Sequence, residues 1–321
     1  MTPTVARSVY VHAPFCARRC FYCDFAVQVR RVGDLGGWLS ALAGELDAVA
    51  RDGLFSLDEP LSTLYVGGGT PSLLGPDVME KLKRLLGAQR LSDPSLEWTA
   101  EANPESLTSA LAKAWRVAGV NRLSIGVQSF HGPSLRWMGR LHGPDGARAS
   151  VDAARRAGIA NLSVDLIFGL PGHLGRDWRS DLDATLALDV PHVSLYGLGV
   201  EEGTPLGRAV REGREAPVDD ERYREEYLTA AECLAAEGYE QYEVSNFSRP
   251  GMQSRHNSVY WNGGVKEGVV TGGLGRPARQ LVQGWVDRGL ARTTGDGVCL
   301  TPGGWLLLDR LAVELDDASS G

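Results

Sequence analysis

The stretch YVHAPFCARRCFYCDF, residues 10–25, places Cys16, Cys20 and Cys23 in a C-x3-C-x2-C spacing directly after a short apolar run. A loop this short can wrap three thiolates around one iron–sulfur cube. A [4Fe–4S] cluster ordinarily takes four cysteines, so a set of three leaves one iron open to another ligand. A disulfide frame is a poor reading, because three close cysteines leave one unpaired and no secretory signal precedes them. Structural zinc stays open at this point. It would need a fourth Cys or His, and His12 is the nearest candidate.

Outward from this loop, the first two-thirds of the chain alternates strand and helix. The pattern predicts strands over Ser8–His12, Ser62–Gly67, Leu96–Glu101, Arg122–Val127, Leu162–Phe168 and His192–Leu198. Helices are predicted over Trp38–Arg51, Pro76–Gly87, Leu107–Ala118, Asp145–Ala157 and Asp177–Leu188, with Gly119 and Gly158 placed as C-terminal caps. Apolar strands each followed by a helix imply a parallel sheet with right-handed crossovers. Six such units are too few for a closed eight-stranded barrel. Pattern alone leaves a partial (β/α)6 barrel or an open doubly wound sheet, and in the barrel the site lies at the carboxyl ends of the strands. The unusual motifs all fall there: Gly67-Gly68-Gly69-Thr70-Pro71, Glu101-Ala-Asn103-Pro104, Gly126-Val-Gln128-Ser129-Phe130, Asp165 through Gly172, and Tyr196-Gly-Leu-Gly199. Bare glycine backbone lets a ligand approach closely, and polar groups gathered on one rim need a ligand or one another.

Composition bounds the rest. The 321 residues are 43% hydrophobic and 23% charged, with a formal net charge of −7. This profile suits a soluble globular protein and argues against nucleic acid as the main partner. No apolar run approaches membrane-spanning length, and the N-terminus carries no leader pattern. Five cysteines, three of them clustered, suit a reducing cytoplasm. Cys233 and Cys299 read as core residues. Peripheral membrane association and the oligomeric state are left open.

The whole set, Tyr10-x-His12-x-Pro14-Phe15-Cys16, Cys20 and Cys23-Asp24-Phe25, resembles the radical SAM (S-adenosylmethionine) family of oxygen-independent coproporphyrinogen III oxidases and the related heme chaperones. The oxidase branch has a further cysteine two residues after the third. Phe25 stands there in this chain, which favours the chaperone branch. The resemblance implies the partial (β/α)6 barrel, a [4Fe–4S] cluster on Cys16, Cys20 and Cys23, and SAM on the open iron. Tyr10, Gly68 and Glu101 match positions that contact the cluster-bound SAM. Gly69, Thr70, Gln128, Arg140, Asp165 and Gly199 match positions that contact a second SAM; here they serve a second SAM, the first one, or a different ligand. An electron donor such as flavodoxin or ferredoxin is implied as a partner.

Further on, His256-Asn257-Ser258-Val259-Tyr260-Trp261 resembles the HNxxYW motif of the chaperone branch. It implies heme, with His256 as axial ligand and Tyr260 and Trp261 beside the porphyrin; a capping or core-edge histidine is the plainer alternative. The expected divisions are residues 1–215 for the barrel, 216–265 for a helix and strand extension carrying this motif, and 266–321 for a shortened winged-helix-like module. Beyond Trp261 the chain departs from its family through an apparent internal loss. Three functions are therefore in view: a heme chaperone supplying apo-hemoproteins, a coproporphyrinogen III oxidase, and a radical SAM enzyme on another substrate. No catalytic residue is assigned.

Overall fold

The computed structural model describes residues 3–30, 32–262, 269–270, 276–294 and 297–320. Most of the glycine-rich run after Asn262, and residues 295–296, lie outside the described residues. The chain divides into two compact units, Met1–Val218 and Asp219–Gly321.

The first unit is built on β1 (Ser8–Ala13), β2 (Thr63–Gly68), β3 (Glu97–Ala102), β4 (Arg122–Gln128), β5 (Asn161–Phe168) and β6 (His192–Gly197). Each pairs in parallel with the next in chain order. A doubly wound sheet would reverse its order at a switch point. This one never reverses, so the unit is a partial (β/α)6 barrel.

The connecting helices are α1 (Leu35–Asp52), α2 (Val78–Leu86), α3 (Ser109–Ala118), α4 (Gly132–Met138), α5 (Gly146–Arg156), α6 (Trp178–Leu186) and α7 (Pro205–Arg211). Side chains of Asp34, Thr108 and Asp177 cap α1, α3 and α6, satisfying first-turn N–H groups. Gly119 and Gly158 follow α3 and α5 at φ 129° and 82°, values costly for any residue with a Cβ. The short helices α4 and α7 were not anticipated. Seven residues give too little periodicity, although Pro133 and Pro205 mark their first turns.

Successive strand residues face opposite sides. Leu64, Val66, Trp98, Ala100, Leu123, Ile125, Val164, Leu166, Val193 and Leu195 are buried on one side. Residues in the alternate phase are polar and also buried: Thr63, Thr99, Arg122, Ser124, Ser163, His192 and Ser194. The apolar face carries the packing. Truncating Trp98 or Trp115 to alanine should cost ~3–5 kcal/mol. The polar face lines the barrel interior below the site.

The second unit contains α8 (Asp220–Ala236), the antiparallel pair β7 (Glu240–Gln241) and β8 (Asn246–Ser248), α9 (Arg255–Asn262), β9 (Val269–Val270), α10 (Arg276–Asp287), the hairpin β10 (Ala291–Thr294) and β11 (Gly297–Leu300), α11 (Pro302–Trp305) and α12 (Leu308–Ser320). Val282, Trp285, Ala291, Val298 and Leu311 form a core there. Cys233 is buried as expected, but Cys299 is only half-buried. Among the described residues, no helix is long and apolar enough to cross a membrane.

Candidate metal-cluster site

Strand β1 runs directly into the cysteine loop, and the carboxyl ends of the neighbouring strands surround that loop. A cavity of about 430 Å³ opens there. Cys16, Cys20 and Cys23 line it, together with Gly68, Gly69, Thr70, Glu101, Gln128, Arg140, Asp165 and Gly199. Residues spread over almost two hundred positions therefore meet at one place. Tyr10 is the exception. It is largely exposed and stacks on Tyr65, with ring centroids 5.8 Å apart, one layer removed from the lining.

The three cysteines are unpaired and half-buried. Burial pushes the Cys16 and Cys23 thiols up, and charge on Cys20 adds to the rise. Among the described residues, no three His, Cys, Asp or Glu side chains converge on a single ion. Zinc would need such convergence. In an iron–sulfur cube each thiolate takes its own iron. His12 does not complete a zinc site: its Nε2 lies 3.0 Å from the Ala26 carbonyl and its Nδ1 3.3 Å from the Tyr10 hydroxyl.

Two glycines at the end of β2 make room. Gly68 has φ 109°, and a Cβ there would collide with the His12 ring. A Cβ on Gly69 would stand 2.7 Å from the Phe15 carbonyl oxygen. Glu101 is held at both oxygens. The Tyr65 hydroxyl donates to Oε1 at 2.8 Å, and the Gly68 N–H donates to Oε2 at 2.9 Å. Burial raises the Glu101 pKa against these two bonds. Asp165 accepts from Ser124 Oγ at 3.0 Å. Burial first, and the charge of Glu101 second, push Asp165 up to about 7. The buried guanidinium of Arg122 below them pulls both back down.

On the other side stands Arg140. Its Nη2 donates to Asn103 Oδ1 at 2.6 Å and to the Gly126 carbonyl at 2.7 Å. Its Nη1 lies 3.7 Å from Cys20 Sγ. Burial alone would lower Arg140, but Tyr22, Cys20 and Glu105 hold its pKa above the ordinary value. Arg140 Nε is buried without a hydrogen-bond partner among the described residues. Gln128 takes φ 68°, beside an irregular register between β4 and β5. Bulges next to sites re-aim a side chain in this way.

These residues fit a cluster and SAM. Three thiols share one mouth, two glycines leave no room for side chains, a carboxylate stands at the neighbouring strand end, and a buried donor is unspent. Tyr22, Tyr65, Asn103, Arg122 and Ser124 were missed as site residues. The alternation Arg122-Leu-Ser124-Ile and Ser163-Val-Asp165-Leu, polar in one phase within buried strands, was the signal for the interior ones.

The second unit holds the heme candidates. His256 is buried and lies near the start of α9. Its Nε2 is 3.4 Å from the Tyr260 hydroxyl, and the rings meet edge to face. Tyr260 is 68% exposed. Trp261 does not join this pair but packs edge-on against Trp305.

A parallel barrel with three cysteines at its mouth is the architecture of a radical SAM protein, and the radical SAM superfamily profile matches residues 10–184. The heme chaperone HemW of Mycobacterium tuberculosis is 41% identical over 273 residues, which cover 83% of this chain and 68% of that protein. HemW of Lactococcus lactis is 35% identical over 268 residues, covering 84% and 69%. This chain belongs to the HemW heme chaperone family of the radical SAM superfamily. Membership implies a [4Fe–4S] cluster and SAM. Among solved structures, coproporphyrinogen III oxidase (HemN) from Escherichia coli matches with a TM-score of 0.74 at 19% identity, over 98% of this chain and 90% of that one. That likeness shows the shared fold.

Proposed function

We propose that this protein carries heme and hands it to apo-hemoproteins, with a [4Fe–4S] cluster on Cys16, Cys20 and Cys23 and SAM beside it. The observation that carries the reading is the 41% identity to a heme chaperone over 83% of the chain. Phe25 supports it. It stands where the oxidase branch has a further cysteine, and its ring is 58% exposed on the cavity lining.

The chain's own residues divide the work. Cys16, Cys20 and Cys23 hold the cluster. Gly68 and Gly69 present bare backbone to SAM, and Glu101 accepts hydrogen bonds from its amino or ribose hydroxyl groups. Gly69, Thr70, Gln128, Arg140, Asp165 and Gly199 complete the walls. When bound, cluster and SAM supply one-electron cleavage of a sulfonium, fed by a donor such as flavodoxin or ferredoxin. His256 would hold the heme iron, since neutral imidazole is a common donor to it. Tyr260, whose ring meets that of His256, would stand beside the porphyrin, while Trp261 packs against Trp305.

The test is anaerobic reconstitution, then iron and sulfide analysis and a heme titration followed in the Soret region. One cluster and one heme per chain are expected. A reconstituted protein that leaves the heme spectrum unchanged overturns the reading.

A further inference from the structure

Three side chains at the cavity form a chain of four hydrogen bonds between two of the cysteine sulfurs. Arg140 Nη1 donates to Cys20 Sγ at 3.7 Å. Its Nη2 donates to Asn103 Oδ1 at 2.6 Å. Asn103 Nδ2 donates to Thr70 Oγ1 at 3.0 Å. Thr70 Oγ1 donates to Cys16 Sγ at 3.6 Å. A guanidinium carries donors only, so it fixes the amide with its oxygen toward Arg140 and its NH2 toward Thr70. That orientation in turn sends the Thr70 proton toward Cys16. The chain is thus polarised in one direction, from a buried cation to a thiol. Asn103 touches neither sulfur, yet it sets the donor geometry of both arms.

We propose that Arg140, Asn103 and Thr70 form a bracket that raises the reduction potential of the cluster held on Cys16 and Cys20, with Asn103 as its positioning residue. The inference rests on the cluster reading above. Reduction adds one electron to [4Fe–4S]2+ to give [4Fe–4S]+, with no bond made or broken. The added charge spreads onto the thiolate sulfurs. Hydrogen bonds to those sulfurs and a buried positive charge nearby stabilise the reduced form more than the oxidised one. Without the bracket the same donor would reduce a smaller fraction of clusters.

Asn103→Asp is the decisive variant because shape is kept while polarity reverses. The carboxylate accepts from Arg140 and offsets its charge. It also accepts the Thr70 proton, which then leaves Cys16. Thr70→Val removes the Cys16 arm alone, and Thr70→Ser restores it. The experiment is a dithionite redox titration of each reconstituted protein without SAM, followed by EPR, after matching iron and sulfide content. Asn103→Asp should lower the equilibrium constant for reduction about tenfold, equal to ~59 mV for one electron. Thr70→Val should move it less in the same direction, and Thr70→Ser should return it to the wild-type value. A merely structural role would change cluster content and leave the potential in place.

Full cluster content with unmoved potentials in Asn103→Asp and Thr70→Val overturns the inference and leaves the cluster reading intact. If Asn103→Asp takes up no cluster, the Thr70→Val and Thr70→Ser pair decides by the same criterion. A wild-type protein that assembles no cluster overturns the cluster reading and this inference together.

Discussion

The backbone N–H of Gly68 donates to Glu101 Oε2 at 2.9 Å, tying the glycine run at the end of β2 to the carboxylate at the end of β3. The bond depends on the φ of 109° that Gly68 adopts, and on the space its missing side chain leaves beside His12. Gly68→Ala should therefore do two things. It should destabilise the protein by ~1–3 kcal/mol through backbone strain. It should also remove the change that SAM causes in the EPR spectrum of the reduced cluster. A Gly68→Ala protein with a full cluster and an undiminished SAM response would contradict the assignment.

Asp165 gives a pH prediction with a definite sign. Its folded pKa of about 7 lies above the ordinary carboxylate value of 3.8. The native state therefore binds more protons than the unfolded chain between those two values. Stability from this group is full below pH ~4 and is lost as pH rises through about 7, by on the order of 4 kcal/mol. His192, held well below its ordinary value by burial, has the opposite slope below pH ~6.5. Comparing wild type with Asp165→Asn cancels the histidine contribution. Denaturant melts from pH 5 to 8 should show the variant gaining relative stability as pH rises. Parallel curves for the two proteins would refute the buried charge.

Much of the fold was readable because buried parallel strands advertise themselves. Runs such as Leu162–Phe168, closed by glycine and proline, leave few other readings, and Gly119 and Gly158 mark helix ends. The cysteine loop and the glycine run were legible for a similar reason, since spacing and missing side chains are properties of the chain itself. The partners of those residues were not legible. Arg140 and Asn103 stand 37 positions apart, and only strand register brings the guanidinium to the amide. The environment of His256 was not legible either: residues 255–262 close into a helix, and the ring is buried.

The helix changes what a heme ligand at His256 requires. Nε2 faces the Tyr260 hydroxyl at 3.4 Å, so the hydroxyl must give way before iron can approach that nitrogen. His256→Ala should weaken heme binding tenfold or more and shift the Soret band. Tyr260→Phe removes the competing hydroxyl and should tighten binding with the band in place. A heme titration of both variants reads this directly. Unchanged affinity and spectrum in His256→Ala would exclude His256 as ligand.

The cysteines should separate cleanly by role. Cys20→Ala should reduce iron and sulfide content to a small fraction of wild type and remove the broad iron–sulfur absorbance. Cys299→Ala, in the second unit and half-buried, should retain the full complement. Equal cluster content in Cys20→Ala and wild type would contradict the assignment of the three-cysteine loop.

Heme delivery by this radical SAM barrel can be tested directly. Heme-loaded, cluster-containing protein is mixed anaerobically with an apo-hemoprotein, and transfer is followed by the acceptor's spectrum; coproporphyrinogen III is offered with SAM and reductant in parallel. Heme should pass to the acceptor, and no decarboxylated product should form. Turnover of coproporphyrinogen III without heme transfer would contradict this role.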